Sequence, residues 1–399
     1  MEHISVVSAL LVRGDSEIPG MKKILFVTND FGPRAGGIET FIVGLIERLP
    51  KNSVVIYTSQ QGDTSKYDAD WKNNFGAIVI RDKSKILLPT PRVNRLAARI
   101  ARENKTEIAC FGAAAPLGIM APTLRRAGVR RIVSLTHGHE VWWAKVFPFT
   151  LAMRRIGNTV DGLSYLGEFT KQAIARSLSA TAKNAMVRIS PGIDTDHFAP
   201  TLKSLELRKE LGLERKQVIV SVGRLVHRKG QDRLIQALPL IQASQPDAHL
   251  LLIGEGPYRA KLEEFVRVKK VEKSVTFIGR VPYAQLPTYI GVGDIFAMPS
   301  RSRSFGLEVE GLGIVYLEAS SCGLPVIVGN SGGAPDAVLA GETGLVVDGT
   351  NVGQIASAVI SLLSDPQSAK NMGKRGREWI FQFWSWQRWS NEFQKYLQI

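Results

Sequence analysis

A chain of 399 residues, 44% hydrophobic and 22% charged, holds enough apolar material for two cores and is too rich in it for a disordered polymer. Its net charge of +15 calls for an acidic partner: nucleic acid, an anionic membrane or a phosphorylated substrate. No stretch approaches the ~20 apolar residues of a membrane-spanning helix, and Cys110 and Cys322, far apart in apolar surroundings, read as buried free thiols of a reducing compartment.

From the first residue onward, Ile4–Val12 is apolar but short and follows Glu2 and His3, unlike a secretory leader. Residues 1–20 are expected to be a disordered extension, because Lys22–Thr28 reads as the first strand. Val54–Thr58, Ile108–Phe111, Arg131–Thr136 and Val187–Ser190 read as further buried strands. Helical patterns over Glu39–Leu49, Arg92–Arg102 and Pro116–Ala127 separate them. Such alternation predicts βαβ units and a parallel sheet. The pattern pauses at 191–204, a stretch rich in Pro, Asp and Thr that reads as a linker. It then restarts with Val218–Val222, His249–Ile253, Val275–Ile278, Ile295–Met298, Pro325–Val328 and Gly344–Val347. The expected fold class is therefore α/β, with two Rossmann-like domains, over 21–195 and 196–379, whose parallel sheets face a deep interdomain cleft. A helical, aromatic end from Lys374, with Trp379, Trp384, Trp386 and Trp389, is expected to cross back over about 380–399. Charge is uneven: residues 21–200 carry 26 Lys and Arg against 14 Asp and Glu, and residues 201–399 carry 24 against 19.

In such sheets ligands sit beyond the carboxyl ends of strands, and four motifs fall there. Asn29–Glu39 contains Gly36-Gly37 ahead of a helix, where bare amides can meet an anion. It is neither a P-loop nor G-x-G-x-x-G; an ordinary glycine turn explains it equally. Thr136–Glu140 carries His137 and His139. Their spacing in extended chain sends side chains to alternating faces, which disfavours a metal site and favours an imidazole bonded to a substrate hydroxyl. Gly223–Asp232 holds Arg224 and Lys229 at a strand-to-helix junction, where permanent cations can stabilise a departing diphosphate; a solvated basic loop is the competing reading. Glu310–Ala319 sets Glu310 and Glu318 around Gly311, Leu312 and Gly313. The glycines free amides at a helix start to cradle phosphate, Glu310 reaches sugar hydroxyls, and Glu318 reaches ribose hydroxyls. Two acids favourable near a helix N-terminus would need no ligand at all. Gly254-Glu255-Gly256 and Gly279-Arg280-Val281 are loops suited to border a nucleobase.

Arg92, Arg95, Arg99 and Arg102 share one face of a predicted helix, with Lys83 and Lys85 just before it. That face suits either solvent or an anionic membrane, at ~1 kcal/mol per cation near the lipid.

The order Gly36-Gly37, His137 or His139, Gly223-Arg224 with Lys229-Gly230, Gly254-Glu255-Gly256, and Glu310 to Glu318 resembles the family 4 retaining glycosyltransferases of GT-B fold, over almost all of 21–399. Within that family, THGHEVWWAK and FGLEVEGLGIVYLEASSCGLPVI are most similar to the actinobacterial GDP-mannose-dependent phosphatidylinositol mannoside mannosyltransferases.

The resemblance implies an acceptor-binding first domain and a nucleotide-sugar-binding second domain. Arg224 and Lys229 would hold the donor diphosphate, completed by Gly37 and the amides near Leu312 and Gly313. Glu310 would take the donor sugar, Glu318 the ribose, and the backbone at Arg280 and Val281 the base. His137 would be the active-site histidine, with His139 as the alternative. It further implies mannose transfer from GDP-mannose to a lipid-linked hydroxyl with retention, by a monomer or homodimer. No cofactor or essential metal is implied, and no nucleic acid. The enzyme would be cytoplasmic, peripheral on the inner face of the plasma membrane. Glu308, in the preceding Phe305-Gly306-Leu307-Glu308, could be mistaken for the first glutamate; the spacing to Glu318 favours Glu310. A UDP-sugar-dependent transferase is the alternative within the class. A Rossmann oxidoreductase fits poorly, because neither half has the glycine fingerprint and following acid it needs.

Overall fold

The computed structural model describes residues 22–33, 36–303, 306 and 308–399. The extension expected over 1–20 lies outside the described residues, as do Arg34, Ala35, Phe305 and Leu307.

Thirteen strands form among these residues: β1 (Ile24–Thr28), β2 (Val54–Ser59), β3 (Ile78–Asp82), β4 (Ile108–Phe111), β5 (Arg131–Ser134), β6 (Gly162–Tyr165), β7 (Met186–Arg188), β8 (Gln217–Val222), β9 (Ala248–Ile253), β10 (Val275–Gly279), β11 (Ile295–Met298), β12 (Val326–Gly329) and β13 (Gly344–Val347). They make two sheets, in the orders β3-β2-β1-β4-β5-β6-β7 and β10-β9-β8-β11-β12-β13. The pairings are parallel, with Ile24 opposite both Val54 and Ile108 in the first sheet and Val218 opposite His249 in the second. The protein is α/β, as the alternation predicted. Central strands read as unbroken apolar runs because helices cover both faces: Ile24 to Val27 are wholly buried.

The sequence pattern missed β3 and β6. β3 is a sheet edge with four of its five residues at least partly exposed to solvent, and β6 is a short Gly-Leu-Ser-Tyr. Neither gives a sustained apolar run. The helix expected over Pro116–Ala127 is a 3₁₀ turn over Leu117–Met120 followed by a short helix over Ala121–Arg126.

Nine helices position or frame the residues of interest: α1 (Gly37–Ile46), α2 (Pro91–Glu103), α3 (Glu140–Trp143), α4 (Phe149–Thr159), α5 (Gln231–Gln242), α6 (Ile314–Ser321), α7 (Val352–Ser364), α8 (Pro366–Phe383) and α9 (Trp386–Leu397). The described chain divides into two compact units. One comprises residues up to Ser134 with 159–162 and 393–399; the other comprises 135–158 and 163–392. In the first, Phe393 packs 6.1 Å from Phe26, and Tyr396 donates its hydroxyl to the Ser134 carbonyl at 3.1 Å. In the second, α5 and α7 bury Leu234, Leu238, Ile355 and Val359 against β8, β9 and β11. The same unit sets the Arg188 guanidinium against Trp384 and Trp389, 5.1 and 5.5 Å from their rings.

Candidate functional site

The second sheet reverses its winding between β8 and β11. A reversal leaves a crevice at the carboxyl ends of those two strands, and there the loops of interest gather.

The loops leaving β8, β9 and β10 are stitched side by side. Gly223 N–H donates to Ile253 O at 3.0 Å, Leu225 N–H to Glu255 O at 2.9 Å, and Gly254 N–H to Gly279 O at 2.7 Å. Gly254 sits at φ +131°, and a methyl group there would stand 2.2 Å from Gly223 O. Only glycine meets both conditions. Arg224 is exposed and makes no ion pair among the described residues. Arg280 is exposed and Val281 half-buried at the end of the β10 loop.

Beyond Arg224 the chain makes a 3₁₀ turn over His227–Lys229 and enters α5 through Gly230, left-handed at φ +80°. This turn aims two cations at one acid. Lys229 Nζ and Arg228 Nη1 each lie 2.8 Å from Glu310 Oε2, and Glu310 is 7% exposed. Burial alone would push its carboxyl up; Lys229 and then Arg228 outweigh it and hold it below the usual carboxylate range. Asp232, in the first turn of α5, and Arg301 form a bidentate pair at 2.9 and 2.8 Å, with both side chains 4% exposed. Arg301 N–H also donates to Arg228 O at 2.9 Å, which ties the basic turn to the chain after β11.

Glu310 leads into Gly311, Leu312 and Gly313. Gly313, at φ +79°, is the N-cap of α6, so the first N–H groups of that helix lack intrahelical acceptors. Tyr316 fixes the helix by donating its hydroxyl to Met298 O at 2.8 Å. The loop after β12 buttresses the turn: Gly333 N–H donates to Glu310 O at 2.8 Å, and Glu310 N–H to Ser331 Oγ at 3.3 Å. Glu318, one turn into α6, is buried and finds no hydrogen-bond donor among the described residues. Burial pushes its carboxyl up to about 8. Glu308 is exposed and faces Arg303 at 3.5 Å, so Glu310 is the buried acid of the pair.

The His137 segment belongs to the same unit. Thr136 anchors it, donating its N–H to Ser164 Oγ at 3.0 Å and its hydroxyl to Ser164 O at 2.6 Å. Glu140, wholly buried, accepts the His137 N–H at 2.7 Å on one oxygen and faces His139 Nε2 at 3.1 Å with the other. His137 is 3% exposed, and its ring lies 6.0 Å from that of His139. A methyl group on Gly138 would stand 3.0 Å from Gly311 Cα. The histidine turn and the Glu310–Gly313 turn are thus in backbone contact, and side chains at either glycine would separate them. Among the described residues, no three or more of His, Cys, Asp and Glu gather to hold a metal ion.

The structure therefore brings together His137, His139, Arg224, Lys229, Gly254, Glu310, Gly311, Leu312, Gly313 and Glu318, with Arg280 and Val281 on the stitched loops. Gly36 and Gly37 belong to the other unit, at the start of α1. There Gly37 has open space on its Cβ side, while a methyl on Gly36 would meet Glu39 Oε2 at 2.2 Å. Sequence reasoning gave no role to Arg228, the Asp232–Arg301 pair or Ser331–Gly333, and weighed Glu140 only as a disfavoured metal ligand beside the two histidines. Asn330-Ser331-Gly332-Gly333 after a strand carried a legible signal of the kind used for the other loops. The ion pair, 69 residues apart in sequence, carried none.

On the first unit, α2 exposes Arg92, Arg95, Arg99 and Arg102 and buries Val93, Ala97 and Ile100. Arg92 is not a free cation: it makes a bidentate pair with buried Asp82 at 2.9 and 2.7 Å. No helix among the described residues is long and apolar enough to cross a membrane.

In this strand-end crevice two cations converge on a buried glutamate beside a glycine-started helix, and comparison with known proteins gives the class of the chain. Residues 35–197 match the profile of Glycosyltransferase Family 4, and residues 203–379 that of Glycosyl transferases group 1. The chain belongs to the family 4 glycosyltransferases. Among its relatives, the GDP-mannose-dependent alpha-(1-6)-phosphatidylinositol monomannoside mannosyltransferase of Mycolicibacterium smegmatis is 43% identical over 91% of this chain and 95% of its own. A GDP-mannose-dependent monoacylated alpha-(1-6)-phosphatidylinositol monomannoside mannosyltransferase of Corynebacterium glutamicum is 40% identical over 92% and 95%. In fold, Anabaena HepE, solved in complex with UDP, superposes with a TM-score of 0.79 at 19% identity, over 94% of this chain and 99% of its own.

Proposed function

We propose that this protein transfers mannose from GDP-mannose to the mannosyl headgroup of a phosphatidylinositol monomannoside-type lipid, with retention and without an essential metal. The donor and acceptor are those named for the 43% identical relative. The observation that carries the chemistry is the convergence of Lys229 and Arg228 on Glu310 at the mouth of α6.

In this reading Lys229 and Arg224 hold the pyrophosphate, with the amides at Gly311, Leu312 and Gly313 completing the cradle. Glu310 accepts hydrogen bonds from mannose hydroxyls, and Glu318 accepts them from the ribose. The backbone at Arg280 and Val281 borders the base, with Gly254 keeping the neighbouring loop close. His137 lines the sugar side of the crevice. As the bond from the anomeric carbon to the β-phosphate breaks, the cations offset the charge gathering on the diphosphate. The acceptor hydroxyl oxygen forms the new bond on the same face and gives its proton to the departing phosphate.

For its lipid substrate the enzyme sits on the inner face of an anionic membrane through α2, where Arg95, Arg99 and Arg102 are exposed and Ile86 and Leu88 stand out of the loop before it. The test is a donor screen by calorimetry with GDP, UDP and ADP, followed by product analysis with GDP-mannose and a phosphatidylinositol monomannoside. Preferential binding of UDP would overturn the donor assignment. A product of inverted configuration would overturn the mechanism.

A further inference from the structure

The segment immediately after the histidine turn carries a surface that the donor chemistry leaves unused. Residues 141–160 contain three cations, Lys145, Arg154 and Arg155, and no acid. Phe147 is 76% exposed and Leu151 59%, which places them among the most exposed apolar residues described. α4 buries Met153, Ile156 and Gly157. Its other face runs Leu151, Arg154, Arg155 and Asn158, at i, i+3, i+4 and i+7, all exposed. Beneath the tip, Trp142 and Trp143 close on Phe149 at 4.5 and 4.9 Å, all three half-buried.

An apolar tip on an indole base, with cations one turn further on, matches the layering of a bilayer surface. Aromatic rings favour the headgroup level, apolar side chains reach the acyl boundary, and guanidinium groups pair with anionic headgroups. A protein partner would need acidic complementarity around a single protruding phenylalanine; an anionic bilayer supplies charge and apolar depth together. We infer that Phe147 and Leu151 insert into an anionic membrane, with Arg154 and Arg155 at its headgroups, and so hold the lipid acceptor beside the His137 turn that begins four residues before Val141. This second anchor is independent of α2. It rests on the proposed lipid acceptor and adds the surface that meets the lipid.

The experiment compares the full chain with Phe147→Ser/Leu151→Ser and with Arg154→Gln/Arg155→Gln. Co-sedimentation uses phosphatidylcholine vesicles with and without phosphatidylinositol. Transfer is assayed on a lipid acceptor and on its deacylated, water-soluble form. The arginine pair should lower partition onto phosphatidylinositol vesicles by about 30-fold, at about fivefold per cation. The apolar pair should lower partition on both vesicle types. Both variants should lose transfer to the lipid acceptor while keeping transfer to the soluble one, at unchanged melting temperature. Wild-type partition by the apolar pair overturns the inference, including a result in which those changes only alter self-association. A wild-type chain that partitions as expected but transfers mannose to neither acceptor overturns the proposed function and leaves the membrane surface standing.

Discussion

Lys229 Nζ stands 2.8 Å from Glu310 Oε2, so the cation proposed to hold the pyrophosphate and the acid proposed to hold the transferred sugar orient one another. Both belong to one unit, but they leave different strands, β8 and β11, which meet only where the sheet order reverses. Replacing Lys229 with Met should lower kcat by about 100- to 1,000-fold, the usual cost of losing one group aimed at developing charge. It should also raise the Glu310 carboxyl toward its ordinary range, because Arg228 alone then opposes burial. Steady-state kinetics with GDP-mannose, with circular dichroism to show that the fold persists, checks both; a near-normal kcat would remove Lys229 from the site.

Glu318 makes stability depend on pH. Its carboxyl is pushed up by burial from the ordinary 4.5 to about 8. Between those values the folded chain keeps a proton that the unfolded chain has released, so stability falls as pH rises through that window. Glu318→Gln should flatten the fall, and thermal melts from about pH 5 to about pH 9 measure it. Ribose hydroxyls donating to the carboxylate favour its charged form, so nucleotide binding near neutrality should release a proton. Calorimetry in buffers of different ionisation enthalpy reads that release, and Glu318→Gln should abolish it.

The two histidines should separate. His139 is the N-cap of α3, its side chain 41% exposed, with Nε2 turned to Glu140. His137 is buried beside the Gly138–Gly311 contact. His137→Ala should cost about 100-fold or more in kcat/KM, and His139→Ala much less. The reverse order would make His139 the working imidazole. Glu140→Gln should resemble His137→Ala in part, since the turn loses the carboxylate that fixes both residues.

The arginines of α2 should not behave alike. Arg92, by its hydrogen bonds, holds the buried Asp82 carboxyl well below the usual carboxylate range. Arg92→Gln removes the bidentate pair and leaves that carboxylate only its bonds from Tyr57 and Ser84, so it should lower the melting temperature. Arg95→Gln/Arg99→Gln should leave the melting temperature unchanged and weaken binding to anionic vesicles. Equal loss of vesicle binding with Arg92→Gln at constant stability would refute the distinction.

Much of the site was legible because its chemistry is local. Gly223-Arg224, Lys229-Gly230, Gly254-Glu255-Gly256 and Glu310–Gly313 each follow a strand and hold residue types with few purely structural reasons to occur together. From sequence Arg228 reads as one more cation of a solvated basic loop; the 3₁₀ turn ended by Gly230 redirects it onto Glu310. Arg92 looked like one of four equivalent surface charges. The strand that occupies it, β3, gave no clear pattern because an edge strand is apolar on only part of its surface.

The sequence by itself determined the alternation of strands and helices, the parallel sheets, the family and the chain positions at which ligand chemistry is offered. Each of these depends on side-chain periodicity or on residues within one turn of each other. Tertiary structure decided which offers meet: Lys229 and Arg228 with Glu310, Gly138 with Gly311, Asp232 with Arg301, and Glu318 with no donor among the described residues. These outcomes follow from strand order and burial, which join residues tens of positions apart and set each charge's surroundings, and no local pattern encodes them.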